Sequence, residues 1–216
     1  DEEERLNLGY ELRTGVRFAT RDGKPSYRSA VVRVDGQDTI ALAYGDATTI
    51  WRINLGWRRR KVQEQYGFVL DVDNGYWRSR RNEQPGDDSA PPVKSGRTAR
   101  VVPYVEDRRN VLLFEPAVAL TVEQLTTLQA ALKNAIQVTY HLEDNELAAE
   151  LLPERDHPRS LMFYESAEGG AGVLRRLLDD PNGMAEVARQ ALLLCHFDEE
   201  ARPSLLRLHI VREEVV

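Results

Sequence analysis

The chain of 216 residues is 42% hydrophobic and 30% charged with a net charge of −6, which excludes a wholly disordered chain and suits one large domain or two small ones. No apolar run approaches the about 20 residues that a helix needs to cross a bilayer, so no membrane partner is expected. A single cysteine, Cys195, excludes an intrachain disulfide and an all-cysteine zinc site within this chain, and fits a cytoplasmic protein.

The acidic start, Asp1 to Glu4, has no apolar stretch behind it and is not a signal peptide. With no initial Met, it reads as a piece of a longer protein. Leu6 to Trp77 reads as β-rich. Tyr27 to Val34 leads into Asp35-Gly36, a hairpin-type turn pair. Thr39 to Tyr44 follows, then a second turn at Gly45-Asp46, then Thr48 to Ile53, rich in β-branched and aromatic residues. Tyr66 to Val72 is a further strand, turned at Asp73-Asn74-Gly75 toward Tyr76-Trp77. A small antiparallel sheet or partial barrel is the expectation for residues 1–81. Residues 82–98 are Pro, Gly, Ser and Asp with little apolar content and read as a mobile loop.

Arg100 to Val105 and Val111 to Glu115 read as two more strands. A long helix then starts at Thr121, an N-cap with Gln124 completing a capping box. Leu125, Leu128, Leu132, Ile136 and Tyr140 give it one apolar stripe. A helical pattern resumes at Asp144 and ends before Pro153. Leu161 to Ser166 is a strand, Gly172 to Leu178 a helix, and Pro181 precedes a helix reaching about His196. Ser204 to Glu213 is strand-like. The fold class is therefore α+β: a β-rich half, then an α/β half over 99–216 with one long helix and a strand–glycine turn–helix junction.

That junction carries Glu165, Glu168 and the glycines Gly169, Gly170 and Gly172. Backbone N–H groups at such a helix start can hold an anion. Two adjacent carboxylates would repel phosphate, and no Lys-Ser/Thr follows the glycines, so it is not a P-loop. The preferred reading is a structural turn, glycines allowing positive φ and close helix–sheet contact. The alternative makes Glu165 and Glu168 acid–base or Mg²⁺-binding carboxylates.

Charge is uneven. From Trp51 to Asn110, 13 Lys and Arg stand against 8 Asp and Glu, a net of +5; of the totals of 29 and 35, that leaves 16 against 27 elsewhere, a net of −11. Arg58, Arg59, Arg60 and Lys61 follow Trp57, and Arg78, Arg80 and Arg81 follow Trp77. Guanidinium groups pair with phosphates and rings stack on unpaired bases, so these seven cations are the candidate nucleic-acid contacts. The bland reading is a solvated hairpin with the tryptophans in the core. Cys195-His196 could be half a zinc site or a buried thiol at a helix end. No nucleophile–base constellation and no Walker motif is visible in the sequence.

Between Val111 and Asp198, five stretches occur in order. They are Leu112-Leu113-Phe114-Glu115-Pro116, Leu125 to Leu132, Leu142 to Leu147, Phe163 to Leu174 with its Gly169-Gly170-Ala171-Gly172 turn, and Ala191 to Asp198 with Cys195-His196-Phe197-Asp198. This order resembles the MrfA-type zinc-binding (MZB) domain family, which is appended to superfamily 2 DNA helicases or encoded beside them. Its particular motifs are similar to those of bacterial anti-phage defence proteins of the DISARM and Druantia type. The resemblance implies DNA and a superfamily 2 helicase core, in cis or trans, as partners. It implies ATP and Mg on that motor, and zinc in the full-length protein through a four-cysteine cluster to which only Cys195 of this chain could belong. A protein–protein scaffold with no nucleic-acid contact is the alternative, suited by the acidic second half.

Overall fold

The computed structural model describes residues 9–60, 62–77, 96–167 and 169–197, and the backbone of 209–213. The chain is α+β, strands first and helices in the second half. Its elements are β1 (Tyr10–Arg17), β2 (Thr20–Arg21), β3 (Lys24–Pro25), β4 (Arg28–Val34), β5 (Gln37–Trp57), β6 (Phe68–Asp71), β7 (Tyr76–Trp77), β8 (Thr98–Val101), β9 (Tyr104–Pro116), α1 (Val122–Tyr140), β10 (Leu147–Leu152), β11 (Ser160–Glu165), α2 (Val173–Asp179), α3 (Gly183–Leu194) and β12 (His209–Glu213). They divide into two compact units that alternate along the chain, where the sequence reading drew sequential divisions. Unit one is Asp1–Arg13 with Arg52–Val105, and unit two is Thr14–Trp51 with Glu106–Val216.

The main sheet has the order β10-β11-β9-β5-β4-β12, with β1 also paired to β5. The β4–β5 hairpin closes as expected at Asp35-Gly36, whose φ angles of 50° and 80° are the two positive values of a type I′ turn. The expected second turn at Gly45-Asp46 is absent: β5 runs on through it, and the positive φ nearby is at Ala47, after both residues. Gly45 serves close approach instead, because the Phe18 ring lies where a Cβ would stand. The strands expected at Arg100–Val105 and Val111–Glu115 are redistributed as short β8 and the 13-residue β9.

In unit two, alternation along β11 sorts its side chains between two hydrophobic clusters. Leu161 and Phe163 join Leu112 and Phe114 in the larger cluster, where α1, α2 and α3 contribute Leu125, Leu132, Ile136, Leu174, Leu177 and Val187. Met162 faces the other way, with Ile50, Val111 and Leu152. Phe114 and Phe163 meet edge to face at 5.0 Å. Helix α1 opens on the expected capping box, Thr121 Oγ1 accepting from the Gln124 backbone N–H and Gln124 Oε1 accepting from that of Thr121. It ends on His141 in the left-handed region at φ 56°.

The helical pattern at 144–152 is overturned: Leu147–Leu152 is strand β10, antiparallel to β11 from Leu147↔Glu165 to Leu152↔Ser160. Leu, Ala and Glu favour helix in isolation, but pairing and burial outweigh that preference. Leu147, Ala149 and Leu151 face the larger cluster and Leu152 the smaller, the period of a strand.

Unit one has a three-stranded antiparallel sheet, β7-β6-β8. A chain of rings holds it: Tyr10 on Trp57 at 4.4 Å, Tyr10 on Phe68 at 5.7 Å and Phe68 on Trp77 at 5.9 Å. The β6–β7 turn is fixed by buried Asp71, whose Oδ1 accepts from the backbone N–H groups of Asp73 and Asn74.

Candidate functional site: the glycine junction and the basic sheet

Period-two alternation places Glu165, like Leu161 and Phe163, on the helix-facing side of β11, and it is only 2% exposed. A buried carboxylate is costly unless hydrogen-bonded. Here Oε1 accepts from the backbone N–H of Leu174 at 3.1 Å and Oε2 from Asn110 Nδ2 at 3.0 Å. Leu174 is the second residue of α2, whose N-cap, Gly172, has no side chain to cap it. Glu165 therefore caps α2 from a neighbouring strand, and its negative charge lies at the positive end of the helix.

The same amide of Asn110 also donates to the carbonyl of Gly169 at 3.2 Å, tying the turn down. Gly170, at φ 64°, is required twice over, since a Cβ there would run into the Glu165 carboxylate and the Asn110 amide. Gly169 and Gly172 also have positive φ. Around this junction, burial, the 2.6 Å hydrogen bond from the Tyr44 hydroxyl to Asp46 Oδ1 and the charge of Glu165 all push the Tyr44 pKa up. The site contains a carboxylate already used for packing, and Glu168 lies outside the described residues.

The basic residues of unit one separate by role. Arg58 and Arg59 are exposed; the Arg58 backbone N–H donates to the carbonyl of Gly9 and its Nε to that of Tyr10. Arg60 is turned inward, its side chain 9% exposed. Its Nη2 meets Glu11 Oε2 at 2.6 Å, Nη1 donates to the carbonyls of Leu55 and Trp57, Nε donates to that of Gln63, and the guanidinium lies 4.8 Å from the Tyr66 ring centre. Arg60 holds the 55–66 segment together. Lys61, Arg78, Arg80 and Arg81 lie outside the described residues.

The tryptophans divide as well. Trp57 packs on Tyr10. Trp51, in unit two, donates from Nε1 to Glu106 Oε2 and carries the Arg17 guanidinium over its ring at 4.8 Å. Trp77 is 57% exposed, beside exposed Tyr76 in β7. On β8's approach, the Arg97 side chain is largely exposed and pairs with Asp73 at 3.2 Å. The sequence reading named Tyr76 beside Trp77 and missed Arg97, which lies in the stretch read as a loop.

Cys195 is exposed at the end of α3. Among the described residues no group of three or more His, Cys, Asp or Glu converges as a metal site. Cys195 and His196 are adjacent and supply at most two ligands, so the described residues do not fit a zinc ion by themselves. Cys195 instead lines one end of an apolar groove of about 510 Å³ between α1 and α3, with Leu128, Leu132, Ala191, Leu192 and Phe197.

No curated protein matches the chain. Among solved structures, the crystal structure of the DUF1998 helicase MrfA bound to DNA is similar, with 13% identity and a TM-score of 0.44 over 84% of this chain and 21% of that one. The chain thus spans about a fifth of that helicase's length. The family model described as the MrfA Zn-binding domain matches residues 128–200, from within α1 through β10, β11, the glycine junction, α2 and α3. Over that segment, the chain is similar to the MrfA Zn-binding domain.

Proposed function

We propose that this chain is the helicase-associated part of a bacterial anti-phage defence protein. In this reading it acts in the cytoplasm and binds DNA beside a superfamily 2 motor in another segment or subunit. The motor supplies the ATP- and Mg-dependent translocation, and zinc is held with ligands beyond the described residues. The observation that carries the reading is the match of residues 128–200 to the domain of MrfA, itself a DNA-bound helicase in its solved structure. The net charge of +5 between Trp51 and Asn110 supports the DNA contact. Arg58 and Arg59 are the described residues proposed to meet phosphates, and exposed Trp77 offers a face for an unpaired base. Arg60 is left out because its donors are engaged internally. Lys61, Arg78, Arg80 and Arg81 extend the same basic segment.

The test is DNA binding by fluorescence anisotropy through a salt series. Affinity is expected to fall steeply with salt as counterions return to the phosphates. Arg58→Glu/Arg59→Glu should weaken binding about tenfold or more while circular dichroism stays unchanged. Unaltered affinity in an intact double variant would sink the assignment of these residues. A second reading, a protein scaffold, rests on the apolar α1–α3 groove; a partner held there would bind with little dependence on salt.

A further inference from the structure

The hairpin β2–β3 does not belong to the basic segment of unit one. It is built from unit two, and the sequence reading passed over it. Asp22 and Gly23, at φ 51° and 78°, form a type I′ turn. The Ser26 backbone N–H donates to the carbonyl of Ala19 at 2.7 Å. One rung lower, Phe18 stacks on Tyr27 with ring centres 4.9 Å apart and planes 22° apart. Phe18 also lies against Gly45 in β5. These contacts make the hairpin a fixed projection.

Two further cations near its base have internal roles. Arg17 lies over Trp51, and Arg28 pairs with Asp179 at 3.1 Å. The tip is different. Arg21 and Lys24 are paired directly across the two strands. Both are exposed, and neither side chain makes a hydrogen bond or ion pair with another described residue. Like charges directly opposite each other destabilise an antiparallel pair. Asp22 adjoins them in sequence but makes no ion pair with either among the described residues. Among the described residues none engages these two side chains, and an anion between them would relieve their repulsion.

We infer that the β2–β3 tip is a second phosphate-binding point for nucleic acid, with Arg21 and Lys24 gripping the sugar–phosphate backbone independently of sequence. The inference rests on the nucleic-acid reading above and adds a contact in the other unit. A nucleic acid is favoured over an anionic membrane because the apex, Thr20 to Pro25, has no large apolar side chain to insert among lipids, and the rings sit at the hairpin's base. Phosphate contacts of this kind position a strand and carry no base readout.

The experiment compares the full chain with Arg21→Ala/Lys24→Ala on fluorescein-labelled single-stranded and duplex DNA across a salt series. Loss of two phosphate contacts should flatten the slope of log K against log salt by about two, equally for different sequences. The melting temperature should not fall, since both side chains are exposed and engage no other described residue, and their mutual repulsion is removed. The charge-preserving exchange Arg21→Lys/Lys24→Arg should restore the slope. If the wild type binds DNA, Arg58→Glu/Arg59→Glu weakens it and the tip variant keeps the wild-type slope, the tip is not a contact and the unit-one reading stands. If the wild type has no DNA affinity, both readings fall. Tip-dependent binding to phosphatidylserine vesicles, or to a polyglutamate peptide, without an effect on DNA also overturns the inference.

Discussion

Glu165 joins three parts of the fold through one carboxylate: strand β11, the first turn of α2 and Asn110 of β9. Both oxygens accept from N–H donors, so an acid and an amide are not interchangeable there. Glu165→Gln turns one acceptor into an NH₂ group facing a donor, which leaves a buried N–H unsatisfied. Stability should drop by about 1–3 kcal/mol, read as a lower urea midpoint. An unchanged midpoint would mean that Glu165 does not cap α2. The carboxylates and glycines of this junction stand out in the sequence. Asn110 does not, because it lies 55 positions away and reaches the junction only through the β9–β11 register. The inward turn of Arg60 was equally hidden, since four consecutive cations look alike until Glu11 and the carbonyls of Leu55 and Trp57 single one of them out.

At the level of elements, local signals worked where local chemistry decides. The Asp35-Gly36 turn and the Thr121–Gln124 box were readable because each is closed by its own neighbours. Strand β10 was misread because its helix-favouring residues are held extended by a partner strand. The continuous β5 was broken in the reading because Gly45 looks like a turn and is instead a site of close ring packing.

The end of α1 carries a pH dependence. Burial of Tyr140, its last residue, and the nearby Asp180 carboxylate push its hydroxyl up to about 12, despite Arg176 over the ring. An unfolded tyrosine ionises near pH 10. The unfolded chain therefore loses this proton first, and the stabilisation present below pH 10 is lost as pH rises through about 12. Tyr140→Phe should flatten the alkaline fall in urea midpoint over that interval. Some slope should remain, because Tyr44 is shifted in the same direction. An identical alkaline profile in the variant would contradict this account.

For the whole molecule, both hydrophobic clusters are drawn from unit two, and the ring chain through Tyr10, Trp57, Phe68 and Trp77 from unit one. The charge imbalance was visible in the sequence, and its start at Trp51 falls at a unit boundary, whereas the return of the first 13 residues to the same unit was not, since no composition break marks Arg13. A chain beginning at Thr14, with Trp51 joined to Glu106 by a short Gly-Ser linker, keeps every residue of both clusters. It should unfold in one cooperative urea transition, and a broad, non-cooperative melt would show that unit two needs unit one.

The hydrogen bond from Trp51 Nε1 to Glu106 Oε2, 2.8 Å long, gives that join a further meaning. The residues at which unit two breaks off and resumes are held side by side, so the stretch between them is a detour whose exit and return share one doorway. Closing a short gap costs little chain entropy, and lengthening it adds only slowly to that cost. Such a doorway lets the stretch grow, shrink or be exchanged without rethreading the clusters it leaves behind.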